Sequence, residues 1–463
     1  MSSAFRDFLR LLEGEGQLLR IQENVNPRFE LSQILKEVDR RGGPALLFER
    51  VSGCSFPVAG NLLGTRHRLA LLFGTSEEHI VEEYERRRSR LIPPVVASYA
   101  PCQEVVVQEE MDILKTLPIP TYHEKDGGPY ITCGVLFAKD PLTGQRGVGL
   151  HRLHVKGKNR LGVHLSNPPI SQFQANAEAL GNPLEVAIAL GVDPVILMAS
   201  IVRMPTGDKL ALAGGLRGEA VEVVRGTRVG VEVPARAEAV LEGKILPGVR
   251  EDEGPFGETS GYYFRDRSHV IEVTAITHRD RPISQALHPM TNEVVMLAGA
   301  SAEAELLRFL RGEGYQVRHL HLTGGTSRPH ALISLRKKHD GEPKQLLYLL
   351  LSHSPWIKHA AVLDDDVDLH DPDDVEWALS TRVQGDRDLV VLSGLPGRSI
   401  DPSTRDGFGS KVGVDATVPI QERERYVRPR VPADVAQKAR EFVSRYLKEG
   451  EHPPHGHGHG HGH

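Results

Sequence analysis

The sequence predicts an α+β protein built in three parts, and two contrasts along the chain predict it. Helix-like and strand-like periods alternate near the N-terminus and again from Ser301 onward. Between them, from about residue 104, β-rich runs follow one another, separated by Gly and Pro. The expected units are 1–103, 104–300 and 301–430, with a tail over 431–463. A chain of 463 residues is long enough to give each main unit its own core.

In the first unit, Phe5, Phe8, Leu9 and Leu12 recur at helical spacing, and Ile34, Leu35 and Val38 mark a second helix stopped by Gly42 and Gly43. Strands are expected over 45–48 and 56–60, and helices near 66–73 and 77–88. The unit closes near Pro93 and Pro94. In the second unit the runs 103–107, 135–138, 148–155, 195–202, 228–233 and 270–278 read as strands, with one helix over 184–190 ending at Gly191. A mostly antiparallel sheet or barrel fits this pattern. The third unit alternates helices at 302–311, 345–351 and 372–381, the last capped by Asp371, with strands at 317–322, 331–335 and 358–363. An amphipathic helix over 432–447 precedes the His-Gly repeat at 455–463, which is either an affinity tag or a native metal-sequestering tail.

Composition excludes several classes. A net charge of -5 gives no sign of nucleic-acid binding, and no apolar run suits a signal peptide or a membrane span. Cys54, Cys102 and Cys133 are odd in number and far apart, which argues for a reducing, cytoplasmic setting and against a zinc cluster. An EF-hand starting at Asp364 fails because Leu369 and Val375 stand where Gly and Glu are needed. The run from His123 to Gly127 lacks the second His of a zincin motif, and Gly407, Gly409 and Gly413 miss dinucleotide spacing by one. His151, His154 and His164 lie along strand-like segments and read as structural.

One stretch invites chemistry. Glu253 and Glu258 are separated by Gly254-Pro255-Phe256-Gly257, a run that forbids helix and favours a tight turn, either a surface hairpin with solvated acids, which spacing alone favours, or one on which both acids converge. Two confined carboxylates are expected to share the work unequally, one charged beside a cation and the other carrying a proton to give away.

Taken together, several stretches resemble the UbiD family of reversible decarboxylases. They are Glu253 to Glu258 with Gly261-Tyr262-Tyr263, Gly149-Leu150-His151-Arg152 leading to Gly157-Lys158-Asn159, and Leu216-Arg217-Gly218 leading to Glu222-Val223-Val224. Leu117-Pro118-Ile119-Pro120, Asp126 to Thr132, Asp364 to Asp368, Trp377 to Arg382 and Gly409 to Thr417 complete an ordered set from about residue 5 to 430. The resemblance implies an N-terminal α/β domain, a central split β-barrel that holds prenylated FMN, and a C-terminal α/β dimerisation domain. It also implies a homodimer or higher homo-oligomer, a flavin prenyltransferase as cofactor source, and decarboxylation of an aromatic, heteroaromatic or α,β-unsaturated acid. The family's Glu–Arg–Glu network falls on Glu253, Arg152 and Glu258, with Glu258 as proton donor. Cofactor contacts fall on His151, Arg152, Asn167, Lys209 and Lys411, the last toward the phosphate. Substrate specificity is expected from the neighbourhoods 285–290 and 296–298.

The chain departs from the family where a divalent metal, usually manganese, is held by Asn, His and Glu. Those positions fall on Gly147, Asn167 and Lys209, so the metal is expected to be absent or weak, with the Lys209 ammonium taking over part of the phosphate neutralisation. These losses also keep open a non-catalytic relative serving as subunit or binding protein of a carboxylase complex.

Overall fold

A computed structural model describes residues 4–165, 168–204, 207–323 and 329–446. The expected cofactor contact Asn167, the end of the last helix at Leu447 and the His-Gly repeat lie outside the described residues. The chain divides into two compact units, Met1–Ala416 and Thr417–His463. Within the second, a short 3₁₀ segment, Ile420–Tyr426, is followed by the amphipathic helix Ala433–Tyr446.

Four sheets form among the described residues of the first unit. The N-terminal sheet runs in the order Leu18–Val25, Ala45–Val51, Val58–Gly60 and Ser284–Ala286. Its last strand, parallel to Val58–Gly60, returns from deep in the expected second unit. The C-terminal sheet orders Val317–Thr323, His330–Leu335, His359–Leu363, Phe408–Ala416 and Leu389–Pro396. A three-stranded sheet joins Val95–Val96 to Glu222–Arg225 and Glu232–Pro234.

The central sheet positions the site. Its path is Tyr130–Ile131, Leu153–Gly157, Arg160–Val163, Tyr263–His278, Ala239–Gly257, Leu184–Leu190, Val135–Lys139 and Arg146–Leu150, with Val105–Val107 added beside Tyr263–His278. Arg146–Leu150 ends one edge of this path, while Leu153–Gly157 lies next to the other. Only His151 and Arg152 connect them, and three residue steps span at most about 11 Å. The sheet must therefore curl until its edges nearly meet, packing Leu136, Leu153, Leu161, Ile188, Leu241 and Ile271 into its interior. This is the expected split barrel, and His151 and Arg152 sit at the split.

Several expectations need correction. Residues 184–190 form a strand, not a helix; it pairs on both sides and is buried on both faces, so its apolar run carries no alternation. Residues 195–202 belong to the helix Pro194–Ile201, started by the Asp193 carboxylate accepting from Val195 N at 3.0 Å and by Pro194 in the first turn. The expected strand at 148–155 is two strands broken at His151 and Arg152. Of 228–233 only the end is strand, within Glu232–Pro234. None of the expected strands covers Ala239–Gly257, whose Pro and Gly residues are absorbed by three register shifts. The helix Asn292–Gly312 runs straight through the expected boundary at 300/301.

Candidate active site

The Glu253–Glu258 stretch is not a tight turn. It is the end of the long strand, and the turn begins only at Glu258, whose N–H donates to Tyr262 O at 2.9 Å while Gly261 N–H donates back to Glu258 O. On a regular strand, residues five apart point to opposite faces. Here Glu253 pairs with Asp266 and Phe256 with Phe264, so one extra residue is inserted on the Glu253 side. That bulge brings both carboxylates to one face. Gly254, at φ 97°, is required at the bulge: a Cβ there would lie 2.6 Å from Phe264 O.

Arg152 reaches both acids from the barrel split. Its Nε and Nη2 donate to Glu253 Oε1 and Oε2 at 3.2 and 2.8 Å, a bidentate clamp, and its Nη1 donates to Glu258 Oε1. Glu253 is 1% exposed and Glu258 8%. Burial works against the guanidinium's charge, but hydrogen bonding to Glu253 and the charges of both acids outweigh it, so the Arg152 pKa is raised. Phe264 and Phe256 stand 5.1 and 5.6 Å from the guanidinium carbon. Tyr130 stacks between His154 and Phe256 behind Glu253.

Sequence reasoning names the stretch from Asp126 to Thr132 but gives it no role, and it holds this corner in place. The Asp126 carboxylate accepts from Gly257 N at 2.9 Å and from the N–H groups of Tyr122 and His123. Gly127 N donates to Pro255 O at 2.8 Å, and a Cβ on Gly127 would meet Gly254 O at 2.5 Å. His123 packs against Gly257 and edge-on to His288, a ring whose burial pushes its pKa down to about 3. The adjacent glycines Gly127 and Gly128 signal a close approach, but not what approaches.

A second corner lies at His151. Its Nδ1 is 3.1 Å from His164 O, and burial, reinforced by the charge of Lys209, lowers its pKa to about 4. The imidazole is therefore neutral. Lys209 begins the helix Lys209–Arg217, capped by Asp208, and its Nζ donates to Ser200 O at 2.7 Å. Burial lowers the Lys209 pKa to about 8. The third expected cation, Lys411, is buried elsewhere, donating to the carbonyls of Leu351 and Ser354.

The two described residues at the expected metal positions, Gly147 and Lys209, do not fit a divalent cation. Gly147 offers no side-chain oxygen and has no room for one, since a Cβ there would lie 2.5 Å from the Phe173 ring. Lys209 brings a positive charge. Among the described residues no group of three or more His, Cys, Asp or Glu is placed to hold a metal ion.

The neighbourhoods expected to set specificity lie on different elements. Gln285 is on the Ser284–Ala286 strand, His288 is buried beside Tyr122 and His123, and Met296 and Ala298 lie on the helix Asn292–Gly312. No helix among the described residues is long and apolar enough to cross a membrane.

Comparison with known proteins names the class. The chain matches the 3-octaprenyl-4-hydroxybenzoate carboxy-lyase N-terminal domain over 9–88, its Rift-related domain over 94–291 and its C-terminal domain over 295–416. It belongs to the UbiD family of carboxy-lyases. Among its relatives, the anhydromevalonate phosphate decarboxylase of Methanosarcina mazei is 37% identical over 439 residues, 93% of this chain and 100% of that one. The UbiD-class enzyme HmfF of Pelotomaculum thermopropionicum, solved with FMN, is 40% identical with a TM-score of 0.90, covering 95% of this chain and 99% of its own. The 3,4-dihydroxybenzoic acid decarboxylase of Enterobacter cloacae is 30% identical with a TM-score of 0.88, over 95% and 99%.

Proposed function

We propose that this protein catalyses reversible, non-oxidative decarboxylation of an aromatic, heteroaromatic or α,β-unsaturated carboxylic acid using prenylated FMN. The observation that carries the reading is one guanidinium clamped bidentately by Glu253 while reaching Glu258 from the same face. The relatives' names span a phosphate-bearing acid and dihydroxybenzoic acid, so the reaction class transfers while substrate identity does not.

Prenylated FMN, when bound, supplies an electron sink for the carbon that loses carbon dioxide. The chain's own residues do the rest. Arg152 is held by Glu253, so its charge neither moves nor titrates during turnover. The C–C bond to the carboxylate breaks and its electron pair stays on the substrate carbon. Glu258 gives that carbon a proton, and Arg152 stabilises the carboxylate left on Glu258. Solvent then returns a proton to Glu258. In the carboxylating direction Glu258 takes the proton instead.

In this reading Lys209 neutralises the cofactor phosphate without a divalent metal; its ammonium donates to the Ser200 carbonyl and its charge acts on the neutral His151 ring. Lys411 receives less support for that role, because the carbonyls of Leu351 and Ser354 already engage it.

The test is co-expression with a flavin prenyltransferase, followed by assay of candidate acids for carbon dioxide release and for deuterium exchange at the vacated carbon. Glu258→Gln, nearly isosteric, should lower both by at least ~10²–10⁴-fold while flavin stays bound. Wild-type exchange in that variant would remove Glu258 from its role. Flavin retention with no exchange on any acid would favour the binding-subunit alternative.

A further inference from the structure

The two acids on Arg152 are not told apart by the number of their donors. Glu253 accepts from Arg152 Nε and Nη2, and Glu258 accepts from Arg152 Nη1 and, at 3.1 Å, from the Thr259 N–H. Each of these bonds favours the charged form of the acid that accepts it. The bidentate clamp leans toward charge on Glu253, while the Arg398 guanidinium, on which the Glu258 charge acts, leans toward charge on Glu258. Proton delivery from Glu258 needs the first partition, with Glu253 ionised.

One buried group on the Glu253 side has a hydrogen to give. Tyr130 is 0% exposed and lies on the short strand Tyr130–Ile131, opposite His154. Its ring is fixed between the His154 imidazole, 4.6 Å away and inclined by 13°, and Phe256 at 4.3 Å. The hydroxyl closes no hydrogen bond among the described residues. Burial, then the charge and hydrogen-bonding oxygens of Glu253, hold the phenol protonated, above the ordinary tyrosine range. Arg152 and Asp126 are the other charges that bear on it. Burial lowers the pKa of His154, on which Glu253, Asp126 and Lys156 act, so the stacked ring adds no charge of its own. A buried hydroxyl without an acceptor is costly, and Glu253 has lone pairs left after the two bonds from Arg152.

We propose that Tyr130 is a positioning residue for the proton: in the working enzyme its hydroxyl is the third donor to Glu253, and it keeps the charge on Glu253 and the proton on Glu258. It acts through Glu253 and transfers no proton itself. The proposal rests on the decarboxylase reading for the use of that proton, but not for where the proton sits.

Tyr130→Phe keeps the ring between His154 and Phe256 and deletes the donor. Cofactor-loaded wild type and variant are compared for deuterium exchange across pH, with sorbate and 3,4-dihydroxybenzoate as probes. Toward acid pH, where Glu253 competes for a proton, kcat of the variant should be lower by about 10-fold or more, the weight of a hydrogen bond to a charged group. Toward alkaline pH most molecules hold no proton on either acid, so the active share depends on Glu258 alone and the two rates should converge. KM should change little throughout. A deficit of the same factor at every pH means that the hydroxyl only packs, and it overturns the proposal, as does wild-type exchange at every pH. If neither probe exchanges, the infrared difference spectrum between variant and wild type at neutral pH decides. A proton moved from Glu258 to Glu253 should remove one protonated-carboxyl band and add another, which would uphold Tyr130 even where the decarboxylase reading fails. An unchanged carboxyl region refutes the proposal.

Discussion

Arg152 and Lys209 are two half-buried cations, the first in the barrel split and the second acting by its charge on the neighbouring His151, and they are treated in opposite ways. Arg152 lies between two carboxylates that satisfy its fork, so its charge is compensated inside the fold. Among the described residues Lys209 donates to the Ser200 carbonyl at 2.7 Å, and its charge acts on the neutral His151 ring. The first corner is complete and stores a fixed field for chemistry. The second has a charge that the chain leaves for something else to neutralise. In the proposed function the complete corner reacts and the incomplete one binds.

The largest effect comes from breaking the complete corner. Arg152→Lys keeps the charge but loses the fork, and an ammonium cannot hold Glu253 by two bonds while also reaching Glu258. Turnover and deuterium exchange should fall by about 10²–10³-fold with FMN content little changed. Near-wild-type exchange would mean that charge alone, not the clamp, carries the step.

A smaller effect sharpens the incomplete corner. If Lys209 answers the cofactor phosphate, Lys209→Met should weaken FMN binding about 10-fold and leave riboflavin affinity unchanged, since riboflavin lacks that phosphate. EDTA should change neither value, and protein freed of its His-Gly tail should carry no stoichiometric manganese. Only the ammonium form attracts phosphate, and burial places its titration at about pH 8 in the flavin-free protein. Wild-type FMN affinity should therefore be full below pH 8 and decline above it, and the Met variant should lose that decline. Loss of FMN on chelation, restored by manganese, would reverse the assignment.

How much of this was legible beforehand depends on what each feature requires. Helices with local punctuation read directly: 66–73 has Thr65 and Gly74 at its ends, and 372–382 has Asp371 and Pro372. The 184–190 strand and the 194–201 helix exchange identities because both are buried on every side, which erases periodicity and leaves only the Asp193-Pro194 start signal. Glu253 and Glu258 are singled out by their spacing, although the turn it suggests is not there, while Arg152 and the three roles come from family resemblance. What brings the acids to one face is a bulge opposite Asp266 and Phe264, a property of register that one strand does not encode. Tyr130 lies within the Asp126 to Thr132 stretch, but only the pairing of its short strand with Leu153–Gly157 sets its ring behind Glu253.

The smallest effect is a stability difference, and it tests whether Lys209 is kept for function at a cost. Its pKa falls from the ordinary 10.5 to about 8 on folding, so the folded state binds this proton less tightly than the unfolded chain does. Below pH 8 the lysine is charged in both states and opposes folding. Between about pH 8 and 10.5 the unfolded chain holds more protons, so stability from this group rises with pH. At pH 7 in the absence of flavin, Lys209→Met should be the more stable protein by about 1–2 kcal/mol, less than the full shift implies because the new methionine leaves Ser200 O without its donor. Thermal melts of both proteins from pH 7 to 10.5 should show the gap closing as the wild-type lysine discharges. Adding FMN at pH 7 should reverse the order, because the phosphate supplies the charge that the fold withholds. A Met variant less stable than wild type at pH 7 without flavin would make Lys209 a structural residue and remove the contrast between the two corners.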